Sequence, residues 1–184
     1  MEPTYVVAQL NARLQPLDRG EFFEDPLEQV LADAGVGSIS GGGTLQAKSG
    51  EIEYCDIEIE LTTYSERTIR LIVDALERLA APKGSKLHLP EERQLSFGRA
   101  EGLAVYLNGT DLPDETYKSC DSNFVYSEFD RLLSGVGHVF SHWQGPNETA
   151  LYMYGEKFSV MRDRLENFLA SYPLCERARV EQIA

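Results

Sequence analysis

One unit in this 184-residue chain occurs twice, and it constrains the fold more than any other feature. Residues Leu27–Ser40 run through an amphipathic helix end, a Gly35-Val36-Gly37 stop and the start of a strand. Residues Phe129–Ser141 repeat that order around Gly135-Val136-Gly137. Glycine accepts the left-handed backbone in which helices commonly end, so each Gly-Val-Gly marks a helix-to-strand junction. The same series of elements can be laid out around both junctions, which makes the chain a duplication.

In the first copy, Tyr5–Leu14 alternates Val6, Ala8 and Leu10 with Tyr5, Val7 and Gln9, the pattern of a strand with one buried face. Gln15–Glu24 reads as a loop, and Asp25-Pro26-Leu27-Glu28 as a capped helix start whose apolar stripe is Leu27, Val30, Leu31 and Ala34. Ser38–Gln46 and Glu51–Thr62 are strands around a Lys48-Ser49-Gly50 turn. Ser65 caps a helix carrying Ile69, Ile72, Val73, Leu76 and Leu79, and Lys86–Leu89 closes the sheet. A charged linker spans about residues 90–102, within which Leu95–Phe97 is strand-like. The second copy repeats the order with strands at Leu103–Leu107, His138–Trp143, Thr149–Tyr154 and Ala178–Ile183, and helices at about Ser122–Ser134 and Phe158–Ser171. Each copy is β-α-β-β-α-β. The fold class is therefore α+β, a tandem duplication of a ferredoxin-like unit with antiparallel sheets and helices on one face. The expected units are 1–95 and 96–184.

Charge narrows the partners. Seventeen basic and 30 acidic residues give −13, shared between the copies as −8 for residues 1–95 and −5 for the rest. Such a surface repels phosphate backbones and anionic lipid, so neither nucleic acid nor a membrane is expected as partner; a basic protein is. Met1-Glu2-Pro3 leads into strand-like residues with no leader pattern, and no apolar run approaches the about 20 residues of a membrane helix. Cys55, Cys120 and Cys175 are odd in number and lack metal-ligand spacing, which fits a reducing cytoplasm.

Motifs for chemistry fail on inspection. His138 and His142 have the spacing of a helical zinc pair but lie in a strand, about 13 Å apart, so no metal is expected. Gly41-Gly42-Gly43 lies in a strand and not before a helix, which favours a bulge or a close backbone approach over a phosphate loop. No cysteine sits in an activating context, and no Gly-x-Ser-x-Gly elbow occurs. No catalytic residue, cofactor or enzymatic activity is expected.

What remains is a contrast between the copies. Glu51–Glu60 holds five acids and no base, and Tyr54, Asp56, Glu58 and Glu60 share one strand face opposite Cys55, Ile57, Ile59 and Leu61. That face is either a solvated surface or a docking site for a basic partner. The matching strand of the second copy puts Ala150, Tyr152 and Tyr154 on one face, with Tyr106 and Trp143 nearby. Those aromatics are either interface anchors or the joint between the copies.

Through its Gly-Gly-Gly-Thr at 41–44 and Glu-Tyr-Cys-Asp-Ile-Glu-Ile-Glu at 53–60, the chain resembles a group of small, acidic, uncharacterised bacterial proteins. Its acidic α+β build also resembles immunity proteins of bacterial toxin systems, which neutralise a toxin by covering its active site. That resemblance implies a non-enzymatic inhibitor of a basic toxin domain, with Tyr54, Asp56, Glu58 and Glu60 giving a charged contact and Tyr106, Trp143, Tyr152 and Tyr154 an aromatic one. The alternative is a regulatory module that binds a small molecule between the two repeats.

Overall fold

In the computed structural model, which describes residues 3–184, both copies build the expected sheet; Met1 and Glu2, at the head of the first unit, lie outside the described residues. The first unit comprises β1 (Thr4–Leu10), α1 (Pro16–Arg19), α2 (Asp25–Ala34), β2 (Gly37–Gln46), β3 (Ile52–Leu61), α3 (Glu66–Arg78), β4 (Ser85–His88) and β5 (Gln94–Phe97). The second comprises β6 (Glu101–Asn108), α4 (Asp114–Ser119), α5 (Ser122–Leu133), β7 (Gly137–Gln144), β8 (Glu148–Gly155), α6 (Phe158–Ser171) and β9 (Arg179–Gln182). The sheets run β2-β3-β1-β4-β5 and β7-β8-β6-β9, antiparallel throughout, so each has the ferredoxin-like order and the first gains an edge strand.

The duplication extends to individual atoms. Gly35 and Gly135 both have positive φ, 63° and 81°. The Val36 and Val136 carbonyls accept from Thr62 and Glu156, the residues just after β3 and β8. Both junction strands carry a bulge at the same place, Ser40 in β2 and Phe140 in β7. A bulge leaves a backbone group out of the ladder, and in each copy a helix carboxylate faces the residue before it. Glu28 accepts from Ile39 N (2.5 Å), and Asp130 from Val139 N (3.2 Å).

Helices cover one face of each sheet. Val6, Ala8, Leu10, Ile57, Ile59 and Leu61 pack with Leu27, Leu31, Ile69, Ile72 and Leu76 in the first unit. Leu103, Val105, Val139 and Met153 pack with Val125, Phe129, Met161 and Leu165 in the second. These faces follow the period-two and helical patterns of the sequence.

Three segments differ from expectation. The loop at residues 15–24 is helical: Pro16 opens α1, and a π turn over Gly20–Glu24 carries the chain into α2 without a break. Asp25 is therefore inside a helix and not its cap; its N–H reaches Gly20 O, five residues back. Pro26 has no N–H to donate, so the wider turn falls where the helical ladder is already interrupted. The strand-like Leu95–Phe97 is part of β5, which joins the first sheet, and the expected division at 95/96 falls within that strand. The first strand ends at Leu10, leaving residues 11–15 irregular and free to reach the second unit.

The glycine run has a steric cause. Arg19, 8% exposed, donates to Glu24 (2.7 Å), to Gly43 O (2.8 Å) and to Thr44 Oγ1 (3.0 Å) on the helix side of β2. A Cβ on Gly42 would lie 2.8 Å from both Asp56 O and Glu24 Oε1, and 2.9 Å from Arg19 Nη2. The ion pair occupies the room a side chain would need.

Candidate functional site

The two sheets use their outer faces differently. On the second sheet Tyr106, Tyr152 and Tyr154 project away from α5 and α6, and they are 3%, 0% and 1% exposed. The first unit covers them. Phe140, displaced by its bulge, lies 4.6 Å from Phe22 and 5.5 Å from Tyr154, centroid to centroid. Arg13 N donates to the Tyr154 hydroxyl (2.7 Å) and Gln15 N to Ser141 Oγ (3.0 Å), which in turn donates to Asp18 (2.5 Å). Residues 11–15 and the α1–α2 helix thus lie across the second sheet.

A charged cluster completes this joint from the β2–β3 turn. Glu51 Oε1 accepts from Tyr106 (2.6 Å), from Tyr152 (2.7 Å) and from Arg13, which also donates to the Tyr106 hydroxyl (2.7 Å). Burial pushes the Glu51 carboxyl up, but the two phenols and the guanidinium outweigh it and hold the group below 4.5. Burial and the Glu51 bond push the Tyr106 phenol up to about 12, and the same causes push Tyr152 up. Trp143 is partly buried against the hydrophobic core that includes Tyr106 and Tyr152, its Nε1 3.8 Å from the place a Gly50 Cβ would take. Of the four aromatics expected as partner contacts, Tyr106, Tyr152 and Tyr154 are therefore side chains of the joint, closed to any partner of the folded chain, and Trp143 stays partly exposed beside the β2–β3 turn.

Among the described residues the first sheet has no such cover. Tyr54, Asp56, Glu58 and Glu60 lie on its outer face as the alternation required; Glu58 is exposed and the other three are partly exposed. By ladder position Glu60 and Glu58 match Tyr154 and Tyr152 of the second unit, so acids stand where the other copy has its joint aromatics. Ser38 and Gly41 oppose Glu60 and Glu58 on β2, so small residues leave those two carboxylates accessible from that side. Tyr5, opposite Glu60 on β1, is 56% exposed and donates to it (2.9 Å), which raises the phenol's pKa. Sequence reasoning passed over Tyr5, although its parity, opposite to Val6, Ala8 and Leu10, puts it on this face. Asp56 Oδ1 is buried without a hydrogen-bond partner among the described residues. Beyond β1, Lys86 and His88 of β4 share the face, so it grades from acidic over β3 to basic about 10 Å away.

The chemical candidates come apart in the structure. His138 pairs with Tyr154 on the outer face and His142 with Leu151 on the helix face, because the bulge at Phe140 shifts the alternation between them. Cys55 and Cys175 are buried, which pushes both thiols up to about 12, far from a thiolate at neutral pH. Among the described residues no group of three or more His, Cys, Asp or Glu is placed to hold a metal ion, and no helix is long and apolar enough to cross a membrane.

No protein-family model matches this chain, and no curated protein is significantly similar to it. Solved structures give distant likenesses. The first two RRM domains of the yeast poly(U)-binding protein Pub1 are 14% identical over 97% of this chain and 99% of theirs, at TM-score 0.25. The regulatory subunit of aspartate kinase from Thermus flavus is 11% identical over 91% and 94%, at TM-score 0.30. A mutant chlorite dismutase from Candidatus Nitrospira defluvii is 8% identical over 99% and 91%, at TM-score 0.32. These proteins differ widely in what they do, and similarity at this level does not extend to function.

Proposed function

We propose that the chain is a non-enzymatic protein-binding module that docks a basic partner on the outer face of its first sheet. In its most specific form it is an immunity-type inhibitor that occludes a basic bacterial toxin domain. The observation that supports this reading is the unequal use of two equivalent faces. One is spent on the joint, and the other is left open with Glu58, Glu60 and Tyr5 on it. Carboxylates side by side on a sheet repel one another, and a basic partner would relieve that cost. The small residues along β2 let such a partner approach over β2 and β3, away from Lys86.

Replacing Glu58 and Glu60 together by lysine should slow association with a partner captured by the wild-type chain by about tenfold or more at low salt, and flatten its salt dependence. In the immunity-type form, protection against the toxin should fall in parallel. Unchanged association kinetics would remove the face from the account.

A further inference from the structure

A second surface lies apart from the acidic face. Between α3 and β5 runs a groove of 550 Å³ with Ile69, Val73 and Leu89 along it and Tyr64 and Leu95, each 40% exposed, at its sides. β5 forms one wall and is an outer edge of the sheet, hydrogen-bonded among the described strands only to β4. Leu89 N donates to Arg93 O (2.8 Å), which sets the phase of this antiparallel ladder. Alternate positions then bond across to β4, and with Leu87 paired to Leu95 the backbone groups of Gln94 and Ser96 face outward from the edge. Unpaired edge groups beside side-chain pockets are the arrangement by which sheets accept an added peptide strand.

The rim supplies the charge preference. Arg70 and Arg93 both line the groove and both are exposed, and neither forms an ion pair among the described residues. Glu66 is the single carboxylate in the lining among the described residues. In a chain of net charge −13, two free guanidinium groups beside an apolar groove stand out as complementary to a carboxylate.

We infer that β5 and this groove bind an extended peptide segment in which apolar and acidic residues alternate. Its backbone pairs with Gln94 and Ser96, its apolar side chains lie over Ile69, Val73 and Leu95, and its carboxylates meet Arg70 and Arg93. This surface shares no residue with the acidic face and does not depend on the reading given for it.

The test uses a labelled peptide of alternating glutamate and valine, its lysine–valine counterpart, and fluorescence anisotropy with the full chain carrying Glu58→Lys and Glu60→Lys, so that the acidic face does not take up the basic peptide. The acidic peptide should bind at least about tenfold tighter than the basic one. Ser96→Pro removes an outward N–H without touching the ladder to β4, and should abolish binding while leaving the circular dichroism unchanged. R70E with R93E should reverse the charge preference, and it serves as the decisive variant if Ser96→Pro does not fold. No binding of the acidic peptide, equal binding of both peptides, or a preference unaltered by R70E/R93E would overturn the proposal.

Discussion

Phe140→Ala should destabilise the protein by about 3–5 kcal/mol, the cost of emptying a large aromatic site in a packed interior. Phe140 is 5% exposed and touches residues of both units: Phe22 at 4.6 Å, Phe23 at 6.0 Å and Tyr154 at 5.5 Å. These partners are fixed by the α1–α2 helix on one side and by the sheet on the other, so little can collapse into the space. Chemical denaturation gives the value. Leu17→Ala, at a residue 87% exposed, should stay within about 0.5 kcal/mol and serves as the comparison. A cost below about 1 kcal/mol for Phe140→Ala would mean that the units are not packed through this ring.

Glu51→Ala should cost about 2–4 kcal/mol, less than a fully buried ion pair because the Glu51 and Arg13 side chains keep 20% and 26% of their exposure. The loss leaves one guanidinium and two phenols without their shared acceptor. Its pH dependence distinguishes it from a packing defect. The Glu51 carboxyl is held below 4.5 in the folded chain, so its contribution is complete above 4.5 and is lost as pH falls through the folded value. Tyr106 is moved from 10 to about 12, so its contribution is complete below 10 and is lost as pH rises toward 12. Denaturation at about pH 3.5, 7 and 11 should show the wild type most stable in the middle, with the variant's penalty smaller at both extremes. A penalty independent of pH would contradict the cluster's role.

The repeat was legible because it is local. Gly35 and Gly135, the alternation of Cys55, Ile57, Ile59 and Leu61, and the Ser65 cap each act within a few residues, and each reappears in the structure. The helix over residues 16–24 was not, because it packs through Arg19 and Phe23 and shows no apolar period before α2. β5 is only four residues long with Phe97 alone buried, so Leu95 and Phe97 marked a strand fragment but not the sheet it joins. The site was half legible. The exchange of Glu58 and Glu60 for Tyr152 and Tyr154 is visible in the sequence. Which of the two faces is covered depends on Arg13, Gln15 and Glu51, whose partners in the second unit lie 55 to 141 residues away. No periodicity carries that information.

The closed and open faces are the centre of this account, and they can be compared residue by residue without a partner in hand. Hydroxyl-radical footprinting of the folded chain, read by mass spectrometry at each tyrosine, reports side-chain exposure directly. Tyr5 should be labelled fast, Tyr54 at an intermediate rate, and Tyr106, Tyr152 and Tyr154 close to background, rising only when the chain is unfolded. Labelling of Tyr152 or Tyr154 at the rate of Tyr5 would contradict it, since the second sheet would then present its aromatics to solvent and the first unit would not be covering them.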